Sequence, residues 1–170
     1  MFFRTLAILS FVLFSSLLLA QEKTWKVPNV EIKDLKNTSV SASEIYNTEG
    51  PTILSFWATW CKPCILELNT IKDYYVDWQD ETNVKLIAIS IDDTRNIAKV
   101  GPLARGKGWE YDIYIDANSD LRRALNVNNV PHTFLLDKNG NIVWQHNGYA
   151  PGDEDELYQK VVEVSEMSSN

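Results

Sequence analysis

Residues 51–78 read PTILSFWATWCKPCILELNTIKDYYVDW, and inside this stretch one kind of apolar pattern gives way to another without a spacer. PTILSFWAT, bounded by Gly50-Pro51, is a compact apolar run with no polar alternation, which suits a strand buried on both faces. From Lys62 to about Trp78 the apolar residues Ile65, Leu68, Ile71, Tyr75 and Trp78 recur at helical spacing. VKLIAISI then supplies a second buried strand. A strand buried on both sides needs a covering layer on each, so this succession calls for a sheet with helices over it.

The rest of the chain continues the alternation. VPNVEIKDL predicts an opening strand, and SASEIYN a short helix opened by a serine cap. TRNIAKVGPLARGKG has helical character broken by Gly101-Pro102. YDIYID predicts a strand, and SDLRRALNV a helix capped by Ser119. HTFLLDKNGNIVWQH predicts a hairpin turning through Asn139-Gly140. DEDELYQKVVEV closes the chain as an amphipathic helix with acidic residues in its first turn. The expected class is α/β, a mixed central sheet covered on both faces. At 170 residues the chain is one domain by length, without internal repeats or low-complexity tracts.

The first twenty residues stand apart. MFFRTLAILSFVLFSSLLLA carries Arg4 and an apolar run from Leu6 to Leu19, shorter than a comfortable membrane span. It is read as a signal peptide, 1–20, cleaved after Ala20 to leave a domain of residues 21–170. Leu18 is larger than the residue usual at the −3 position, and the alternative is an uncleaved N-terminal anchor, the one case in which the protein would touch a membrane. Export places the protein in the periplasm or cell envelope, where a cysteine pair can be oxidised. Sixteen basic against 23 acidic residues give a net charge of −7, which argues against a nucleic-acid partner.

Both cysteines of the chain, Cys61 and Cys64, flank Lys62 and Pro63. A disulfide stabilises most when it closes a long loop, and a two-residue loop restrains the unfolded chain very little. The pair is therefore read as chemical. It sits where a buried strand ends and a helix begins, with Cys61 at the helix N-terminus. Unpaired N–H groups and the helix dipole favour an anion there, and the thiolate is the nucleophile of disulfide exchange. Lys62 adds positive charge nearby, and Pro63, lacking an N–H, suits the first helical turn. Cys64, within that turn, is placed to attack a mixed disulfide formed on Cys61. Metal sites use the same spacing, but a structural zinc site needs four ligands, and the chain offers two cysteines and two histidines. No metal is expected.

Three stretches, ILSFWATWCKPCILEL, VPHTFLLDKNGNIV and GYAPGDEDEL, resemble the thioredoxin superfamily, specifically its exported TlpA/ResA-like thiol–disulfide oxidoreductases. The resemblance spans about Val27 to Val164. It implies a thioredoxin fold with an added N-terminal strand pair and an inserted strand–helix element. It implies a Cys61–Cys64 redox couple, with Cys61 as nucleophile and Cys64 as resolving cysteine, in a monomer that needs no cofactor. It implies a cis bond before Pro131, facing the cysteines and leaving the Val130 backbone to pair with an extended substrate.

Glu67, three residues after Cys64, points to the same side of a helix. In the family a glutamate there lies beneath the cysteines and mediates proton transfer. Burial would raise its pKa towards a useful range, and the competing reading is a surface glutamate. Ser55 stands where thioredoxins proper carry a buried acid, and Asn69 where relatives have a helix-kinking proline, so the helix is expected to run straighter. Trp57 is expected in the core and Trp60 at the rim of the site. His132 follows Pro131 where relatives carry a small polar residue; it is either a substrate contact or a strand histidine without redox role.

The leading functional reading is a thiol–disulfide oxidoreductase reducing disulfides in exported proteins, with a membrane electron-donor protein to recycle it. Cytochrome c maturation is one setting that the resemblance implies. Two alternatives stay open: a copper-binding chaperone using Cys61, Cys64 and a histidine such as His132, and a thiol peroxidase. Copper carriers of this fold space their cysteines one residue wider, and peroxidases place a lone reactive cysteine in a different local pattern.

Overall fold

A computed structural model describes residues 25–168. The expected signal peptide lies outside the described residues. A seven-stranded sheet is built from β1 (Glu31–Asp34), β2 (Ser39–Ser41), β3 (Thr52–Trp57), β4 (Lys85–Ser90), β5 (Asp112–Ile115), β6 (His132–Leu136) and β7 (Ile142–Asn147), in the order β2-β1-β5-β4-β3-β6-β7. The helices are α1 (Lys62–Thr82), α2 (Ile97–Lys107), α3 (Asp120–Ala124) and α4 (Asp153–Ser168), with a 3-10 turn at Ala42–Glu44.

Strand β3 has all six residues buried, because it lies at the centre of the sheet and is covered on both faces. It runs parallel to β4, Phe56 opposite Ile89, and antiparallel to β6, Phe56 opposite His132. That explains the missing alternation in its sequence. Strand β7, at the sheet edge, alternates half-buried and exposed residues instead. The β1–β2 hairpin is the added N-terminal strand pair, joined to the sheet through antiparallel pairing of β1 with β5. Beneath the sheet α1 packs beside α4, where Trp78 stacks on Tyr158 with ring centroids 5.0 Å apart.

Two local expectations are corrected. Helix α2 runs through Gly101-Pro102 without a break. Pro102 removes one intrahelical bond, but Val100, Gly101 and Ala104 are buried and Gly108, at φ 67°, closes the helix through bonds to Ala104 and Arg105. Packing of the buried face outweighs the local cost of about 3 kcal/mol for an interior proline. Ser119 precedes α3 but has φ 58° and makes no side-chain cap bond. The capping acceptor is Asp116, which takes hydrogen bonds from Leu121 N at 3.2 Å and Arg122 N at 2.8 Å. In the hairpin turn Asp137 accepts from Asn139 N and Asn141 N, and Gly140 has φ 74° with Tyr46 packed where a β-carbon would stand.

Candidate active site

Strand β3 ends at Trp57, and four residues later Cys61 caps α1. The turn between them is closed by a bond from Cys61 N to Ala58 O at 3.0 Å. Cys61 and Cys64 form a disulfide with their α-carbons 5.3 Å apart. Cys64 N also points at Cys61 Sγ at 3.3 Å, so the sulfur occupies the place where a cap oxygen would accept a bond from the first turn. Cys61 is 5% exposed and Cys64 fully buried. Of the two residues, Cys61 is the less completely buried. Lys62 and Pro63 are exposed between them, and Trp60, at 61% exposure, flanks the pair as a projecting apolar surface. Trp57 is buried, its ring edge-on to Trp109 with centroids 5.0 Å apart.

The antiparallel pairing of β6 with β3 brings the start of β6 to the end of the sheet that carries Cys61. The Val130–Pro131 peptide bond preceding β6 is cis. Pro131 is buried, its carbonyl accepting from Gly148 N, and Val130 is half-buried.

Glu67 is buried, 4% exposed, on the inward face of α1 together with Cys64 and Leu68. Its Oε1 accepts a 2.8 Å hydrogen bond from Thr133 Oγ1, whereas Oε2 has no partner among the described residues. Burial raises its pKa to about 7, the Thr133 bond opposes that rise, and Asp153 reinforces it. The Ser55 hydroxyl favours the charged form from close by, without the geometry of a hydrogen bond. A carboxyl that titrates near neutrality can both release and accept a proton there.

His132 is 8% exposed and sits one residue out of phase with Thr133, so it faces the opposite side of β6 from Glu67. Its Nε2 is 3.0 Å from Gln145 Oε1 and its ring stacks on Phe134 at 4.5 Å. Burial holds its pKa below the usual histidine range.

Sequence reasoning passed over Thr133 and Asp92. Thr133 lies in a stretch where only the flanking residues drew notice, and its role depends on a strand and a helix meeting. Asp92 is fully buried after β4 and accepts from Thr59 N at 2.8 Å, Thr59 Oγ1 at 2.7 Å and Ser90 Oγ at 2.9 Å. An acid directly after an apolar strand was the available signal. Asn69 has a use of its own: its Oδ1 accepts from Trp109 Nε1 at 2.9 Å, and α1 continues unbroken for 21 residues.

Residues 24–145 match the AhpC/TSA family. The thiol–disulfide oxidoreductase ResA of Bacillus thuringiensis is 30% identical over 138 residues, 81% of this chain and 76% of that protein. A thioredoxin-like protein from Porphyromonas gingivalis has 47% identity and a TM-score of 0.75 across 84% of this chain and 94% of its own. StoA from Bacillus subtilis has 25% identity and a TM-score of 0.60 over 78% of this chain and 99% of its own. The fold is that of thioredoxin, as the resemblance implied. A strand-to-helix cysteine pair, over a buried carboxyl and inside a match that covers most of the domain, makes this chain a member of the AhpC/TSA family, related to its ResA and StoA thiol–disulfide oxidoreductases.

Proposed function

We propose that the protein is a thiol–disulfide oxidoreductase that reduces disulfides in exported proteins through the Cys61/Cys64 couple. The observation that carries the reading is the disulfide at the start of α1, with Cys61 slightly exposed at 5% and Cys64 fully buried. In the reduced protein the Cys61 thiolate attacks one sulfur of a substrate disulfide. A new bond forms between Cys61 and that sulfur, the substrate disulfide breaks, and its other sulfur leaves as a thiolate. Cys64 gives up its proton and attacks Cys61 Sγ. The intermolecular bond breaks, the second substrate sulfur leaves, and two electrons have passed from the protein dithiol to the substrate.

Glu67 is the proton acceptor for Cys64, placed one helical turn beyond it with a pKa near neutrality. Lys62 and the helix N-terminus favour the Cys61 thiolate, and Pro63 shapes the turn. Trp60, Val130 and Pro131 form the surface that meets the substrate, with the Val130 backbone pairing with an extended segment. His132, which directly follows Pro131, is a further contact for that segment. The setting is the periplasm or cell envelope, reached after removal of residues 1–20, and the protein acts as a monomer re-reduced by a membrane electron-donor protein. Mass spectrometry of the secreted protein should give Gln21 as its first residue; finding residues 1–20 intact would overturn the export reading.

The test of function is reduction of insulin by the reduced protein, with Cys61→Ser inactive. Trapping with Cys64→Ser should then stall the mixed disulfide and identify the partner, an apocytochrome c among the candidates. Failure of the wild-type protein to reduce insulin or to form mixed disulfides would sink the proposal.

A further inference from the structure

We infer that Asp92 is a positioning residue, holding the turn that carries Cys61 in register with Cys64 when the disulfide is open. The inference rests on the redox reading of the pair. While the disulfide is closed, the S–S bond itself fixes Cys61 against α1. Once it is reduced, something else must keep the two sulfurs in range. Cys61 precedes α1 as its cap, joined to the helix by the bond from Ile65 N to its carbonyl, and the residues before it, Ala58 to Trp60, lie outside the helix.

The turn Ala58–Cys61 has one internal bond, Cys61 N to Ala58 O, and that bond ties the turn only to itself. Cys61 O also accepts from Ile65 N of α1 at 3.1 Å, and the turn's tie to the end of β4 runs through Thr59. The Thr59 N–H and Oγ1–H donate to the two oxygens of the Asp92 carboxyl, at 2.8 and 2.7 Å. Asp92 is in turn locked from its own side: Ser90 Oγ donates to Oδ2 at 2.9 Å and accepts from Asp92 N at 3.1 Å. Just upstream Ile91 N donates to Trp57 O at 2.9 Å, continuing the β3–β4 ladder to the base of the turn. The arrangement is a two-pronged clamp from the end of β4 to the residue two positions before Cys61. Its carboxyl is fully buried, so water does not compete for those bonds.

The clamp bears on one step. In the mixed disulfide, Cys64 attacks Cys61 Sγ, the Cys61–Cys64 bond forms and the substrate sulfur leaves as a thiolate that takes up a proton. Its rate depends on the effective concentration of Cys64 at Cys61, which is set by how narrowly Cys61 is confined. The same confinement favours the intramolecular disulfide over the dithiol, and so lowers the reduction potential. Loosening the clamp must slow resolution and raise the potential together.

The potential of the Cys61–Cys64 couple is measured against glutathione buffers for wild type, Asp92→Asn, Thr59→Val and Thr59→Ser. Resolution of a preformed mixed disulfide with glutathione is followed in parallel. Asp92→Asn and Thr59→Val should lower the effective concentration roughly tenfold, about 30 mV upward in potential for a two-electron couple. Thr59→Ser keeps both donors and should restore the wild-type values. If Asp92→Asn does not fold, Thr59→Val, which loses only the hydroxyl bond, decides the question. Folded variants whose potential and resolution rate stay within twofold of wild type would overturn the inference. A wild-type couple that equilibrates with glutathione yet reduces no protein disulfide would instead count against the proposed function, leaving the clamp intact.

Discussion

Thr133 Oγ1 donates a 2.8 Å hydrogen bond to Glu67 Oε1, joining the start of β6 to the inward face of α1 across 66 positions of sequence. Through it, the strand that follows the Val130–Pro131 bond and the helix that carries Cys64 share one buried carboxyl. Thr133 holds Oε1, and Oε2 is buried without a hydrogen-bond partner among the described residues.

Glu67→Gln is expected to alter the pH dependence of thiol exchange between about pH 6 and 8, where a carboxyl raised to about 7 titrates. The rate of the variant should fall several-fold near pH 7, with the domain still folded. Superimposable pH–rate profiles for the two proteins would show that the carboxyl takes no part.

The same residue sets a stability prediction for the oxidised protein. The folded carboxyl titrates at about 7, above its ordinary value of 4.5, so folding favours the protonated form. Its favourable effect is complete below about pH 4.5 and is lost as pH rises through 7. Over that window wild type should lose roughly 3 kcal/mol relative to Glu67→Gln, because each tenfold gain in proton affinity on folding is worth about 1.4 kcal/mol. Urea unfolding of both proteins at pH 5 and pH 8 measures this, and a constant difference would contradict it.

Alkylation of the reduced protein at neutral pH should distinguish the cysteines. Cys61 caps the helix and is slightly exposed, whereas Cys64 is fully buried. Iodoacetamide is expected to label Cys61 at least about tenfold faster. Peptide mapping at short times reads the ratio, and equal labelling would refute the assignment of nucleophile.

The potential of the couple follows from opposing influences. The helix N-terminus and Lys62 stabilise the Cys61 thiolate, and an ionised Glu67 repels it. The balance should leave a reductant nearer to thioredoxin, at about −270 mV, than to DsbA, at about −120 mV. Equilibration with glutathione, followed by Trp60 fluorescence, gives the midpoint; a value near the DsbA end would make the protein a disulfide donor.

Asn69→Ala should destabilise the domain by roughly 1–3 kcal/mol, because it leaves Trp109 Nε1 buried without its acceptor. Asn69→Asp, which keeps an oxygen there, should recover most of the loss. Equal thermal stability of wild type and Asn69→Ala would show that the bond contributes nothing.

The order of elements and the place of the redox pair were legible in the sequence because they depend on short-range regularities. PTILSFWAT is unbroken and apolar because β3 is flanked by β4 and β6 and covered on both faces, and the spacing of Leu68, Ile71, Tyr75 and Trp78 matches the buried side of α1, with Ile65 half-buried at its start. The position of Cys61 at the strand-to-helix junction follows from the same two patterns. What those patterns do not encode is which polar groups meet across the fold. Ser119 has the composition of a cap, yet Asp116 serves α3, since backbone geometry and burial decided between two nearby acceptors. Gly101-Pro102 reads as a break, but packing of Val100 and Ala104 carries α2 through it. Glu67 is one acid among 23, and only its burial in the packed fold desolvates it and lifts its pKa. Asp92 and Thr59, 33 positions apart, acquire their relation from the parallel pairing of β3 and β4. Local periodicity determines the elements because each turn or pleat repeats the same physics, whereas the pairing and desolvation of single polar side chains arise only when distant elements pack.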